Sequence, residues 1–233
     1  MLHNTKQLYG NKIAALDGDV GHVKDFYFDD KTWVVRYVVA DTGGWMAERL
    51  VLLSPHAFTT WDQVEKTLQV KLHRKQIEES PSIASHRPVS RQYEIDYYQY
   101  YGWPVYWSGS GLWGVSSLPL VMQPLHEVPS ESQHHHRDDR HLRSCRAVTG
   151  YGIHTADGEI GEVSGFLIDH KSWAIPELMV ETGHWYAQQK IKIPTDRITQ
   201  IDYESSAVHV NLSKADIHHA AENPVTKTGA AAP

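Results

Sequence analysis

Asp17–Trp45, DGDVGHVKDFYFDDKTWVVRYVVADTGGW, returns at Asp157–Trp185 as DGEIGEVSGFLIDHKSWAIPELMVETGHW, offset by 140 residues at every matched position. Extended outward, from Gly10 against Gly150 to Ile77 against Ile217, the two copies share 19 identities in 68 ungapped pairs. Self-similarity at one fixed offset means one structural unit used twice.

The first copy reads as short strands separated by turn chemistry. A strand around Gly10–Ala15 leads to Asp17-Gly18, a hairpin signal because glycine accepts the positive φ of a tight primed turn. The next strand spans Val20–Asp29. Val23 and Phe26 are out of phase for one face whereas Phe26 and Phe28 are in phase, so a bulge near Lys24-Asp25 is needed to restore the register. Asp29-Asp30-Lys31 is a polar turn, and Trp33–Ala40 is β-branched and aromatic enough for a buried strand. Asp41-Thr42 ends it, Gly43-Gly44 turns, and Arg49–Leu53 follows up to Ser54-Pro55. Residues 56–60 read as a single helical turn, Val64–Leu72 as the last hairpin arm, and His73–Glu79 as a short closing helix. Short strands at this spacing describe a small antiparallel barrel.

Gly10, Asp17-Gly18, Val20-Gly21, Val23, Arg36-Tyr37-Val38-Val39, Asp41-Thr42-Gly43-Gly44-Trp45 and Val51-Leu52-Leu53-Ser54-Pro55 together resemble the PRC-barrel domain. That family includes the cytoplasmic part of the photosynthetic reaction centre H subunit and the C-terminal domain of a ribosome maturation factor. The resemblance implies a mainly β fold, two small antiparallel PRC-type β-barrels joined by an aromatic-rich connector with a short helix. The expected organisation is residues 1–78 for the first barrel, 79–142 for the connector, 143–217 for the second barrel and 218–233 for a disordered tail. The fold-defining turn residues are Asp17, Gly18, Gly21, Gly43, Asp157, Gly158, Gly161 and Gly183. Such residues specify a fold and say little about chemistry.

Composition narrows the function classes. The net charge is -6, from 22 basic and 28 acidic residues, with no Lys/Arg block, which argues against direct nucleic-acid binding. The single cysteine, Cys145, cannot form an internal disulfide, and MLHNTKQLYG lacks the basic and apolar regions of a signal peptide, so a reducing cytoplasm is the expected address. Residues 97–125 hold no Asp, Glu, Lys or Arg, but their glycines, prolines and serines do not suit a membrane-spanning helix.

The connector is the unrepeated part. Six of the eleven prolines fall there, with six tyrosines and three tryptophans but no phenylalanine. Ser90–Tyr101 reads as a helix ended by Gly102 and Pro104. On it Tyr93, Tyr97 and Tyr101 recur every four residues and make one face tyrosine. Trp103, Trp107 and Trp113 follow. Such rings suit a wet interface, and these six are the candidate partner-binding residues, whether they cover barrel surface or dock another protein or a second copy of the chain. His134, His135, His136 and His141 sit among alternating charges. They read first as a solvated linker and second as candidate metal ligands.

The second copy departs where Arg36 becomes Pro176, Tyr37 becomes Glu177 and His56 becomes Asp196. Pro176 removes a ladder donor, so that strand should be an edge or locally broken. No nucleophile elbow, P-loop, zinc-protease helix or Cys-x-x-Cys is present, and no cofactor motif. The turn aspartates and their repeat partners read as caps of backbone amides rather than as paired catalytic carboxylates. The expectation is a non-enzymatic interaction or assembly module. The H-subunit likeness offers an accessory role, peripheral to a membrane electron-transfer complex, as the alternative, and a metal- or small-ligand-binding protein is the third.

Overall fold

The computed structural model describes residues 1–43, 49–81, 89, 91–107, 109–114, 116–119, 141–183 and 189–217. The chain is mainly β, with two seven-stranded sheets and few helices. It divides into two compact units, Met1–Ala147 with Phe166–Pro176, and Val148–Gly165 with Glu177–Pro233.

In the first unit the strands are β1 (Leu2–Asn4), β2 (Lys12–Ala15), β3 (Gly18–Asp29), β4 (Val34–Asp41), β5 (Leu50–Leu53), β6 (Phe58–Asp62), β7 (Thr67–Val70) and β8 (Leu142–Ser144). Its helices are α1 (Thr5–Leu8), α2 (Arg74–Glu78) and α3 (Arg91–Tyr101). The sheet runs β5-β4-β3-β2-β7-β6, antiparallel except for the β2–β7 pair, and β8 pairs with β3. The hairpin at Asp17 forms as the sequence indicates, and the Asp17 carboxylate also accepts the Arg74 amide at the start of α2, 2.8 Å away. The register of β3 on β4 shifts between Val23 and Asp25, where phase demanded a bulge. Phe26 and Phe28 are thereby both fully buried. Gly21 has φ +148, and a Cβ there would lie 2.0 Å from the Asp41 carbonyl oxygen, so only glycine permits this crossing.

Residues 56–60 differ from the expected helical turn. A 3-10 turn at Pro55–Ala57 passes directly into β6, which pairs with β7. The turn of this hairpin is held by Asp62, whose Oδ1 accepts the amides of Val64 (2.9 Å) and Glu65 (3.0 Å). A side-chain-capped turn of this kind carries no glycine or proline to announce it.

The second unit takes only the last residue of α4 but most of β10, both of which it shares with the first. The elements are α4 (Cys145–Val148), β9 (Gly152–Thr155), β10 (Gly158–Asp169), β11 (Glu177–Thr182), β12 (Lys190–Pro194), β13 (Ile198–Asp202) and β14 (Ala207–Val210), in the order β12-β11-β10-β9-β14-β13. The sequence repeat is thus a repeat of strand order. Asp157 accepts the Lys214 amide as Asp17 accepts that of Arg74. A Cβ on Gly161 would meet the Glu181 carbonyl oxygen at 2.1 Å. β11 begins only after Pro176 and has 6 residues where β4 has 8, so the strand is shortened rather than placed at the sheet edge.

Residues 166–176 of the second copy fold into the first unit. There β1 pairs with the end of β10 (Leu2↔Asp169, Asn4↔Leu167), while β8 pairs with the end of β3 (Asp29↔Leu142, Tyr27↔Ser144). These two pairings are the same pairing moved by 140 residues, an exchange of lead strands on which the sequence reading is silent. Between them Val34 bridges Ala174, its own equivalent, flanked by Val35 N–H to Trp173 O (2.9 Å) and Ile175 N–H to Trp33 O (2.7 Å). Trp33 and Trp173 both adopt positive φ, +54 and +60, to make this local two-fold crossing. A left-handed tryptophan costs about 1–3 kcal/mol and persists only where surrounding contacts fix it.

Candidate functional site

The connector helix α3 is laid over the outer face of β4 and β5. Its C-terminus is set by Gly102 at φ +65, with Trp103 N–H to Tyr98 O (3.0 Å) and Gly102 N–H to Gln99 O (3.1 Å). These are the two bonds of a Schellman cap. On the tyrosine face the Tyr93 and Tyr97 rings lie 6.1 Å apart and those of Tyr97 and Tyr101 4.9 Å apart.

Tyr97 is fully buried. Its hydroxyl accepts the Ser54 amide (2.9 Å) and donates to the Leu52 carbonyl (3.0 Å). It therefore does for the edge strand β5 what a neighbouring strand would do. Tyr93 donates to the Pro81 carbonyl (2.9 Å), and Tyr101 lies at the edge of the same cover, 3.5 Å from the Gln76 carbonyl. Trp103 stacks between the Tyr101 ring (4.4 Å) and the His56 ring (5.6 Å). Trp113, 1% exposed, donates its indole N–H to the Ser172 carbonyl at 2.8 Å.

Beneath these rings lie ionisable residues that the sequence did not mark as a group. Arg36 is buried and extends under the Tyr106 ring (3.9 Å from its centroid) and the Trp113 ring (5.0 Å). Its guanidinium donates to the Leu112 carbonyl and to Thr32 Oγ1. Stacking and hydrogen bonding of this kind let a guanidinium survive burial. Glu94, on α3 and fully buried, accepts the hydroxyls of Tyr37 (2.9 Å) and Tyr106 (2.8 Å) on one carboxylate oxygen. Burial, reinforced by the nearby Glu94 charge, holds the Tyr37 phenol well above its ordinary range. His56 sits against Trp103, Trp113 and Tyr98 with Nδ1 3.0 Å from Ser54 Oγ. Its pKa is pushed down to about 4 by burial and by the charges of Lys71 and Arg36, so it is neutral at pH 7.

Of the candidate partner-binding rings, Tyr97, Trp103 and Trp113 are therefore interior, and Trp107 keeps an exposed face. It is 36% exposed and packs edge-on against Tyr98 (5.9 Å) and Tyr106 (4.8 Å). Tyr100, outside the original set, is 41% exposed. His134, His135 and His136 lie outside the described residues. His141 places Nδ1 2.9 Å from Asp30 Oδ1, beside Arg143 Nε at 3.4 Å from Oδ2. Among the described residues no three His, Cys, Asp or Glu side chains are grouped to hold a metal ion. Cys145 is buried, and burial, with Asp25 nearby, raises its thiol pKa well above the usual value.

The fold, its turn glycines and the edge-strand exit at Ser54-Pro55 fit one domain type, and residues 6–78 match the family model of the PRC-barrel domain. This segment is a PRC-barrel domain. No curated protein matches the chain. The second copy repeats the PRC-barrel strand order, and among the described residues no such cover lies on it. Where the PRC-barrel domain has the buried residues Arg36, Tyr37, Leu52, Ser54 and His56, the second copy has Pro176, Glu177, Lys192, Pro194 and Asp196, all exposed or half-exposed. β12 accordingly alternates exposed and buried along Lys190–Pro194, whereas β5 is buried from Val51 onward. The sequence marks Arg36/Pro176, Tyr37/Glu177 and His56/Asp196 as places where the copies differ, without saying that the connector covers them. Glu94 and Tyr106, which complete the cover, have no counterpart in the other copy and so gave no such signal. Among the described residues no helix is long and apolar enough to cross a membrane.

Proposed function

We propose that the chain is a non-catalytic interaction or assembly module in which the PRC-barrel domain and its connector form one preassembled cover that presents Trp107 and Tyr100 to a partner protein. The observation that supports this reading is how the cover uses its polar groups. Arg36, Glu94, Tyr37, Tyr97 and Tyr106 hydrogen-bond to one another or to the backbone beneath α3, which rigidifies a polar interior rather than exposing reactive groups. The hydroxyl of Tyr100 is anchored on the Gln76 carbonyl at 2.9 Å. A tryptophan and a tyrosine on a rigid base are the residue types that dominate binding energy at protein interfaces, since little side-chain entropy is lost on docking.

The test compares wild type with Trp107→Ser/Tyr100→Ser in quantitative co-purification from native lysate, alongside light scattering of the purified chains over a range of concentrations. Loss of a defined partner, or of a concentration-dependent dimer, in the double variant is the expected result. An unchanged partner set and an unchanged mass would overturn the assignment of this surface.

A further inference from the structure

A half-open recess lies on the first unit. It is lined by Phe58, Trp61, Leu68, Ile168, Trp173 and Leu8, with His3, His170, Thr59 and Thr60 as its polar members. Its walls are mostly aromatic and aliphatic, so a flat apolar body gains by leaving water there. The polar members converge on one side. The His3 ring stands edge-on to Trp61 at 3.9 Å and lies 5.5 Å from the His170 ring. His3 is only 7% exposed, and its ring makes no hydrogen bond to a described residue. Its ring nitrogens are not sealed off from water, so a ligand entering the recess meets them directly. His170 places Nδ1 3.0 Å from the Met1 carbonyl, a contact that fixes this nitrogen as the donor and leaves Nε2 for another group.

The repeat shows what is different about this place. The residues 140 positions from His3 and His170 are Arg143 and Asp30, and those two form an ion pair, further held by His141. Here the carboxylate of that pair is replaced by a second imidazole. The charges around His3 are consistent with an anion as the complement. Burial, then His170 and the N-terminal ammonium, lower its pKa, while Asp169 acts in the other direction. Asp169 is itself occupied, by the turn amides of Lys171 and Ser172, both at 2.9 Å, and by the N-terminal ammonium of Met1 at 3.2 Å. A carboxylate arriving between the two rings would favour their protonated forms and satisfy both.

We propose that this recess binds a small planar aromatic carboxylate, its ring against Trp61 and Trp173 and its carboxylate on His3 and His170. No bond is made or broken; binding takes up a proton on imidazole. Affinity therefore falls as pH rises.

The test is calorimetric titration of the full chain with benzoate at pH 5.5 and pH 7.5, with benzamide as the uncharged isostere and zinc ion as a separate titrant. The proposal expects saturable binding of one benzoate, about tenfold weaker at the higher pH, with benzamide weaker still. His3→Gln and His170→Gln should each weaken benzoate about tenfold. His170 is exposed, so its variant keeps the fold whatever His3→Gln does, and amide-resolved NMR spectra would report both the fold and the location of the shifts. No saturable benzoate binding at pH 5.5, equal affinity for benzamide, or unchanged binding by His170→Gln would each overturn the proposal. So would zinc binding that both histidine variants abolish while benzoate shows none.

Discussion

At the residue scale, burial decides what each ionisable group of the connector cover can do. His56 is the clearest case. Its pKa in the fold lies near 4, below the ordinary 6.5, so the unfolded chain takes up a proton more readily than the folded one as pH falls. Its contribution to stability is complete above pH 6.5 and is lost progressively down to pH 4. A shift of this size corresponds to at most about 3 kcal/mol. Urea unfolding at pH 7.5 and pH 4.5 should show that loss in the wild type, and His56→Gln should flatten the difference by a comparable amount. Equal pH dependence in both proteins would show that acid sensitivity arises elsewhere. Arg36, whose charge acts on His56, is held in the interior by two aromatic faces and two oxygen acceptors that replace the water it gave up.

At the element scale, the decisive relation is between α3 and the edge strand β5. An edge strand presents unpaired amides and carbonyls, and one hydroxyl, that of Tyr97, satisfies two of them. Tyr97→Phe keeps the ring and removes only this link. It should destabilise the chain by about 1–3 kcal/mol, because both backbone groups remain buried. Hydrogen exchange at the Ser54 amide should accelerate in the same variant; protection equal to wild type would mean that water takes over the role of the hydroxyl. The other edge strand of this type, β12, is protected differently, by outward Lys190 and Lys192 and by Pro194. Helix and bulge positions followed from local rules because capping and period-2 phase are local. The lead strands β1 and β8 did not, since three residues carry no period and their partners lie over a hundred residues away.

At the scale of the whole molecule, two copies with one strand order differ in what lies over them, since the described part of the unrepeated connector packs on the first. The test is to exchange the residues at one equivalent position. Tyr37→Glu places a carboxylate in a fully buried site beside Glu94, and should cost several kcal/mol or prevent folding. Glu177→Tyr, on a half-exposed strand, should change stability by less than about 1 kcal/mol. Thermal unfolding of both variants measures the asymmetry, and equal effects would refute the connector as its cause.

The sequence by itself determined the repeat, the mainly β class, the hairpin at Asp17, the bulge near Asp25 and the helix ending at Gly102. Each rests on turn chemistry or side-chain period within a few residues. It also marked positions where the copies disagree, but not that Arg36, Tyr37 and His56 among them are buried under the connector. Only the tertiary structure decided that Tyr97, Trp103 and Trp113 face inward, that Glu94 and Arg36 lie beneath them, and that His3 and His170 share a recess. Those facts depend on which distant surfaces meet, and aromatic residues suit a buried seam and an exposed interface equally well until burial distinguishes them.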